Sequence, residues 1–580
     1  MTNPFPSAAA STKRRVLSWI FACGLSLLVS LAILLPFFWY GSASGHDFEF
    51  HAASWLDVAY QWKEGTFYPR WTAWTNHGFG EPRFIFYPPL SWMLGAVLAL
   101  IAPVSWVPVL FILLTQTFAG VSAFFLLRRI ASERAAVFAS ACYAANPYAL
   151  LITYIRSDFA EQLACAIFPL LLLAALRLCR MLDDSANSPS QLALFAVPFA
   201  AVWLSNAPAG VIATYSMGLL LAWSAFAQRS WRIALRGACA FALGFGLAAF
   251  YLVPAAYEQR WVNITQAISS GLLPSQNFLF DVINDPVHTW FNWIASICAL
   301  TLILLFASAA LGSRNFSNIE SLGTPRRRVW NALLLLGAAA TLLTFRFTTP
   351  LWNHLPELRF VQFPWRWSSI IALVLSCFLA ASITRRRGWI WTLVMLLVFV
   401  PLGHFLVRNA WWDSDEMADQ QQAIVTGSGF EGTDEYDPLG DDHLDLPAAS
   451  PLTKILPETA DESAKAPEAR VRVEMWKTGW KQIHVDAKRP LRLALRLLNY
   501  PAWRVEVNGK RIVPGRLDEF NQMVIPLEAG TSEIRIRFAR TTDRAIGLLL
   551  SSISILLAGI LGRLRRNASR SLAIAPRRPA

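Results

Sequence analysis

Apolar runs of about twenty residues recur along most of the chain, each long enough to cross a hydrocarbon core of roughly 30 Å as a helix. They fall near residues 16–40, 106–127, 135–154, 162–179, 192–207, 209–228, 235–256, 289–312, 329–346, 367–383, 389–407 and 545–562. A further apolar stretch, Leu90–Pro103, covers only about 14 residues, which suits a re-entrant or interfacial element. After residue 407 the pattern changes. Residues 411–468 are acidic, rich in Asp, Glu, Ala and Pro, with little periodicity, and read as loop or partly disordered linker. Residues 469–540 alternate apolar and polar positions, as in Ile483-His484-Val485 and Leu491-Arg492-Leu493-Ala494-Leu495, the period of half-buried strands. Trp503–Val507, Asn508-Gly509 and Lys510–Val513 spell a hairpin, because Asn-Gly tolerates the positive φ angles of a type I′ turn. The expected fold is a polytopic α-helical membrane protein of about twelve spans with a small β-sandwich before the last. Its segments are a helical membrane domain at 1–407 with a large first loop at 41–105, a linker at 408–468, the β-sandwich at 469–543, and a last helix with a basic tail at 544–580.

Composition agrees. Of the 580 residues 55% are hydrophobic and only 15% charged, where a soluble domain carries about 25% charged. That argues against a cytosolic enzyme, a disordered chain and a secreted disulfide scaffold. The net charge of +13 would suggest a nucleic-acid partner, but the basic residues sit in short clusters between apolar runs, as cytoplasmic anchors do; no nucleic acid is expected. All seven Cys lie inside expected spans, so neither a disulfide nor a thiolate zinc site is indicated. The run after Lys13-Arg14-Arg15 is too long and bulky for a signal peptide core, and a retained first span is expected, with cleavage at 41–45 as the alternative.

Charge also sets the topology. If Leu90–Pro103 does not cross, then Arg128/Arg129/Arg134, Arg177/Arg180, Arg229/Arg232/Arg236, Arg314/Arg326/Arg327/Arg328 and Arg385/Arg386/Arg387 share one side with both termini. If it crosses, every cluster after the first flips outward. The first arrangement puts the termini in the cytoplasm of a bacterial inner membrane. It puts the first loop, loops 155–161, 257–288 and 347–366, and segment 408–543 on the periplasmic side, with all eight His on or near that side. Chemistry is therefore expected there.

The first loop opens with Gly45-His46-Asp47-Phe48-Glu49-Phe50-His51. Extended backbone would put Asp47, Glu49 and His51 on one face; a helix would align only Asp47 and His51. Either geometry suits a carboxylate base or an oxygen and imidazole site for a divalent metal ion, with a solvated helix end as the plainer alternative. Further on, Arg70, Trp71, Arg83 and Tyr87 sit among Gly, Pro and aromatic residues. The aromatics fit either sugar stacking or a membrane-interface belt, and a guanidinium at the membrane surface suits a lipid phosphate. Arg156, Asp158 and Glu161 mark the second outer loop, where charges at a span boundary face a cavity or a partner. Arg366, in Gln362-Phe363-Pro364-Trp365-Arg366, is another phosphate candidate or a snorkelling side chain. The acidic run 431–442 lacks the calcium-loop pattern, and no P-loop, nucleophile elbow, zincin or dinucleotide motif is visible.

An acidic motif after the first span, a first loop with Pro88-Pro89 and many later spans resemble GT-C glycosyltransferases. More closely, Gly45-His46-Asp47…His51, Tyr68-Pro69-Arg70-Trp71, Phe86-Tyr87-Pro88-Pro89-Leu90, Leu252–Glu258 and Gln362–Arg366 resemble bacterial membrane proteins labelled 6-pyruvoyl-tetrahydropterin synthase-related. Asn499–Trp503 with the following hairpin and last span resembles the end of YfhO-like proteins. The GT-C resemblance implies a polyprenyl-phosphate-sugar donor and an envelope glycan, lipid or protein acceptor. It makes Asp47 the first-loop acid and Asp158 or Glu161 the second, with Glu49 assisting, although Phe48 interrupts the paired acids that many members show. Arg70, Arg83, Arg156 and Arg366, with Trp71 and Tyr87, would bind substrate, and His46 and His51 would orient Asp47 or hold the metal. The competing expectations are a scaffold that binds or translocates a lipid-linked glycan, and a transporter, which the one-sided charge disfavours.

Overall fold

The computed structural model describes residues 8–182, 188–313, 324–383, 388–439, 446–458, 468–517 and 521–574. Arg314, Arg385, Arg386 and Arg387 of the basic clusters, and the acidic pair Asp441-Asp442, lie outside them. Among the described residues nine helices are long and apolar enough to cross a membrane, or eleven if each of two bent pairs is one span. The pairs are Trp231–Leu247 with Ala249–Trp261, bent by 76°, and Arg327–Leu342 with Arg346–His354, bent by 95°. Two shorter apolar helices, Pro89–Ile101 and Ser190–Ser205, accompany them. Every expected span therefore corresponds to a helix, and the difference from twelve is one of length, since Ser190–Ser205 has only 16 residues.

Local chemistry sets the helix ends. Asn146 accepts the backbone N–H groups of Tyr148 and Ala149, and Pro147 occupies the first helical turn where no N–H partner is needed. The first bent pair breaks at Ala248, just after Gly244 and Gly246, glycines being where helices bend at least cost. The last span packs at this break: Ser551 Oγ donates to the Gly246 carbonyl at 2.9 Å and accepts the Phe250 N–H at 2.8 Å.

Beyond the helices stand two antiparallel sheets. One runs Ala469–Lys477, Trp480–Ala487, Gly530–Phe538, Trp503–Val507, Lys510–Ile512 in spatial order; the other runs Thr453–Leu456, Leu491–Leu498, Gln522–Leu527, Gly515–Leu517. Ile483, Val485, Ile534 and Ile536 meet Leu491, Leu493, Met523 and Ile525 in one core, as the period-two pattern requires. Asn508 (φ 50°) and Gly509 (φ 77°) make the hairpin turn.

Two features go beyond the sequence reading. The sandwich core continues into the first loop, where Trp71, Phe79, Ile85 and Phe86 join Tyr500 and Trp503. The acidic segment is also more regular than its composition suggests: Trp412–Asp413 pairs with Ser42–Ala43, Glu416–Thr426 is a helix anchored by buried Met417 and Ile424, and Thr453–Leu456 supplies a sandwich strand. A few apolar anchors order it, and an average over acidic residues hides them. Glu258 fastens the sandwich to the bundle. Fully buried, it accepts from Tyr500 Oη at 2.6 Å and from Arg544 Nε and Nη2 at 2.6 and 2.7 Å.

Candidate functional site

Three distant stretches meet at the end of the bundle that carries the first loop: Gly45–His51, Arg156–Glu161 and Val361–Arg366. Gly45 makes the first meeting possible, because a β-carbon there would strike the Ile155 carbonyl. With that approach open, Asp47 N donates to Arg156 O at 2.9 Å, Gly45 N to Ser157 Oγ at 3.0 Å, and Ser157 Oγ to Ala43 O at 2.6 Å. Ser157 takes a left-handed conformation (φ 53°) to end one helix, and Asp158 begins the next by accepting the Glu161 N–H at 2.9 Å.

Within this frame Arg156 forms an ion pair with Asp47 and lies 3.3 Å from Asp158 and 3.6 Å from Glu161. Arg366 lies 3.5 Å from Asp158 and 3.2 Å from Glu161, and donates to the Val361 carbonyl at 3.0 Å and to Gln362 Oε1 at 3.1 Å. Tyr148 Oη donates to Glu161. His51 Nε2 is 3.7 Å from Asp158 Oδ1, an ion-pair distance rather than a hydrogen bond. Phe363 and Trp365 stack with centroids 4.9 Å apart and roof the guanidinium of Arg156 at 5.4 and 5.2 Å. Arg156, Asp158, Glu161 and Arg366 are at most 5% exposed, whereas the Asp47 side chain is 34% exposed. The cluster thus sets three carboxylates against two guanidiniums, and the surplus negative charge emerges at Asp47.

Environment separates the acids. Burial works against ionisation of Asp158, but His51, Arg156 and Arg366 outweigh it and hold its carboxyl well below the usual range. With one oxygen capping a helix and the other facing two guanidiniums, Asp158 is a poor base. Burial, with Asp158 and Asp47 nearby, raises the Tyr87 phenol well above its ordinary value.

The structure thus brings together Asp47, His51, Tyr87, Arg156, Asp158, Glu161 and Arg366. The other expected site residues lie elsewhere. Glu49 is exposed, with Glu416 as an acidic neighbour. His46 packs its ring 4.4 Å from Phe291, and burial lowers its pKa. Arg83 is buried on Glu81 at 2.5 Å and donates to Thr433 Oγ1 at 2.9 Å, tying the first loop to the acidic segment. Arg70 lies 4.4 Å from the centroid of the Tyr68 ring, and Trp71 packs 5.4 Å from Trp503. His46 and His51, the expected metal ligands, lie apart, His46 on Phe291 and His51 beside Asp158; among the described residues no three His, Cys, Asp or Glu side chains are grouped to hold a metal ion. Two contributors were missed. Tyr148 is a single polar atom in an apolar run and gives no pattern. Asp57, fully buried, accepts from Gln61 Nε2 and Ala73 N at 2.7 Å and so fixes the first loop on its helix; an Asp inside Ala53–Ala59 was the available signal.

A multi-helix membrane bundle with a sandwich docked on its loops, and a buried acid–guanidinium cluster at its loop end, defines a polytopic membrane protein. The 6-pyruvoyl-tetrahydropterin synthase related domain of membrane proteins matches residues 84–412, more than half of the sequence, and the chain belongs to that family. Arg156, Asp158, Glu161 and Arg366 fall inside the match and Asp47 outside it. The fold is similar to a mycobacterial arabinofuranosyltransferase, AftD, at 18% identity and a TM-score of 0.39, over 68% of this chain and 27% of that one. The chain therefore spans little more than a quarter of AftD's length. It is also similar to ArnT from Cupriavidus metallidurans bound to undecaprenyl phosphate, at 12% identity and a TM-score of 0.30, over 70% of this chain and 88% of that one. Comparison with curated proteins gives no match.

Proposed function

We propose that the chain transfers a sugar from a polyprenyl-phosphate donor to an envelope glycan, lipid or protein acceptor, at the periplasmic face of a bacterial inner membrane. The observation that carries this reading is the cluster's asymmetry: one partly exposed carboxylate pairs with the first of two buried guanidiniums, and two further acids hold both. The acceptor hydroxyl oxygen attacks the anomeric carbon of the donor, and its proton passes to Asp47. The bond from that carbon to the phosphate oxygen breaks, and polyprenyl phosphate leaves with the electron pair. Protonation of Asp47 releases Arg156 from the outermost of its three carboxylate neighbours as negative charge develops on the leaving phosphate, so one proton transfer activates the nucleophile and turns part of the Arg156 charge towards the leaving group. Asp158 and Glu161 keep Arg156 in place, and the His51 ring stands beside Asp158 with Tyr87 next to it.

A specific observation favours a second reading, a scaffold that binds or translocates a lipid-linked glycan without chemistry. Both guanidiniums are already paired, and Phe363 and Trp365 cover them. Purified protein given a labelled polyprenyl-phosphate sugar and an acceptor separates the two. The transferase releases polyprenyl phosphate, and Asp47→Asn abolishes release while the donor still binds. Donor binding without release in the native protein leaves the scaffold.

A further inference from the structure

A second polar site lies at the far end of the first-loop helix, Phe48–Lys63. Asp47 precedes this helix and Tyr60 is near its last turn, so at 1.5 Å per residue the two are roughly 20 Å apart. There the first loop and the sandwich enclose a cavity with an empty volume of about 470 Å³, part of it open to solvent. Tyr60, Glu64 and Trp74 line one side, and Trp476, Lys481 and Arg496 the other.

These walls are unlike an ordinary packing seam. Trp74 Nε1 and Arg496 Nε are buried with no hydrogen-bond partner among the described residues, and an unmet buried donor costs about 1–3 kcal/mol. Lys481 occupies an inward position of its strand, on the same face as Ile483 and Val485, which enter the core, and is 3% exposed. Its ammonium donates to the Lys477 and Thr478 carbonyls at 3.1 and 2.9 Å and lies 4.5 Å from the Trp503 ring. Glu64, the facing acid, is engaged by Thr478 Oγ1 at 3.2 Å. Arg496 lies flat over Gly78, where a β-carbon would come within 3.1 Å of its Cζ. The cavity therefore offers indole and phenol faces, and two cations against one carboxylate.

We propose that this cavity binds an acidic saccharide unit, a sugar ring bearing a carboxylate, of the acceptor glycan. Aromatic faces take the C–H face of the ring, and Arg496 with Lys481 takes the carboxylate. The distance from Asp47 makes this a remote subsite, so the acceptor is an oligosaccharide held by one unit while another reacts. The inference rests on the transferase reading only in calling the ligand an acceptor. Burial lowers the Lys481 pKa to about 7, against the pull of Glu64, so the anion should bind more tightly at pH 6 than at pH 8.

Calorimetry on the full chain in detergent tests this with tetragalacturonate as the acidic probe and maltotetraose as the neutral one. Saturable binding of tetragalacturonate is expected, with maltotetraose weaker by about tenfold or more. Arg496→Gln and Trp476→Ala should each weaken tetragalacturonate by about tenfold, with unchanged melting temperatures. No saturable binding of the acidic probe, equal binding of both probes, or indifference to both variants overturns the proposal. The readout needs no turnover. Binding without transfer would defeat the transferase and leave the subsite, and transfer without binding would do the reverse.

Discussion

Asp47 and Asp158 have the same side chain and opposite prospects. Asp47 meets one guanidinium and is partly open; Asp158 is enclosed, caps a helix and faces two. Asp47→Asn should therefore lower transfer by about 10²–10⁴-fold and leave the melting temperature unchanged. Asp158→Asn keeps the cap but strips counter-charge from two buried guanidiniums, and should destabilise the protein by about 3 kcal/mol, read by thermal unfolding in detergent. Lys481 gives a pH test. Its folded pKa of about 7 lies below the roughly 10.4 of a free lysine, so the unfolded chain holds a proton that the folded one gives up between these values. Stability rises with pH across that window, and below it the full penalty of a buried ammonium applies. Lys481→Met should slow hydrogen exchange in strand Trp480–Ala487 at pH 6, with the gain shrinking towards pH 10. At this scale the sequence revealed which residues carry charge and much less where they point. A helix beginning at Phe48 turns Glu49 about 200° from Asp47 while keeping His51 on its side; the extended alternative would have joined all three. Arg83 has the guanidinium of a phosphate ligand, yet an acid two residues away takes it.

Elements meet where side chains allow them to, and Gly45 is the clearest case. One of its α-hydrogens faces the Ile155 carbonyl, and the contacts that set Asp47 against Arg156 depend on that approach. Gly45→Ala should push the two loops apart, costing about 1–3 kcal/mol and, through misplacement of Asp47 by about an ångström, on the order of 10²-fold in transfer. Gly559→Ala, where nothing lies within 4 Å, serves as the control and should change neither. The spans were legible because twenty apolar residues have few other fates, and the hairpin because Asn508-Gly509 demands positive φ. The 76° bend was not: mean hydropathy runs smoothly through Gly244 and Gly246, and only the last span packed against the break makes it visible. Nor could alternation reveal that the sandwich core would extend to Trp71 and Phe86 of the first loop, a contact between segments some 400 residues apart.

For the whole molecule, that contact carries a topological consequence. The first loop and the sandwich share a core, and Ser42–Ala43 pairs with Trp412–Asp413, so the acid cluster and the sandwich occupy the same end of the bundle. The basic clusters belong to the other end: helix Phe159–Leu178, 20 residues and thus about 30 Å long, separates Asp158 from Arg177. Positive charge is retained on the cytoplasmic side of short loops, which predicts that the sandwich and Asp47 lie outside. In spheroplasts of cells making a cysteine-free background, Val513→Cys, at an 89% exposed position of the sandwich, should react with a membrane-impermeant maleimide. Ser230→Cys, between helices Ala207–Ala227 and Trp231–Leu247 beside Arg229 and Arg232, should react only after lysis. The inverse pattern would turn Asp47 towards the cytoplasm and remove the transfer reaction proposed at the opposite face, whatever the purified protein binds. Glu258 offers an independent check on the same arrangement, since it accepts from both Tyr500 of the sandwich and Arg544 of the last span. Glu258→Gln leaves Arg544 buried without its counter-charge, at about 3–5 kcal/mol. Because the lost bonds run between sandwich and bundle, proteolysis at the 408–468 segment should quicken while the sandwich strands keep their exchange protection. Equal loss of protection in both would mean that the sandwich has no stability apart from its dock.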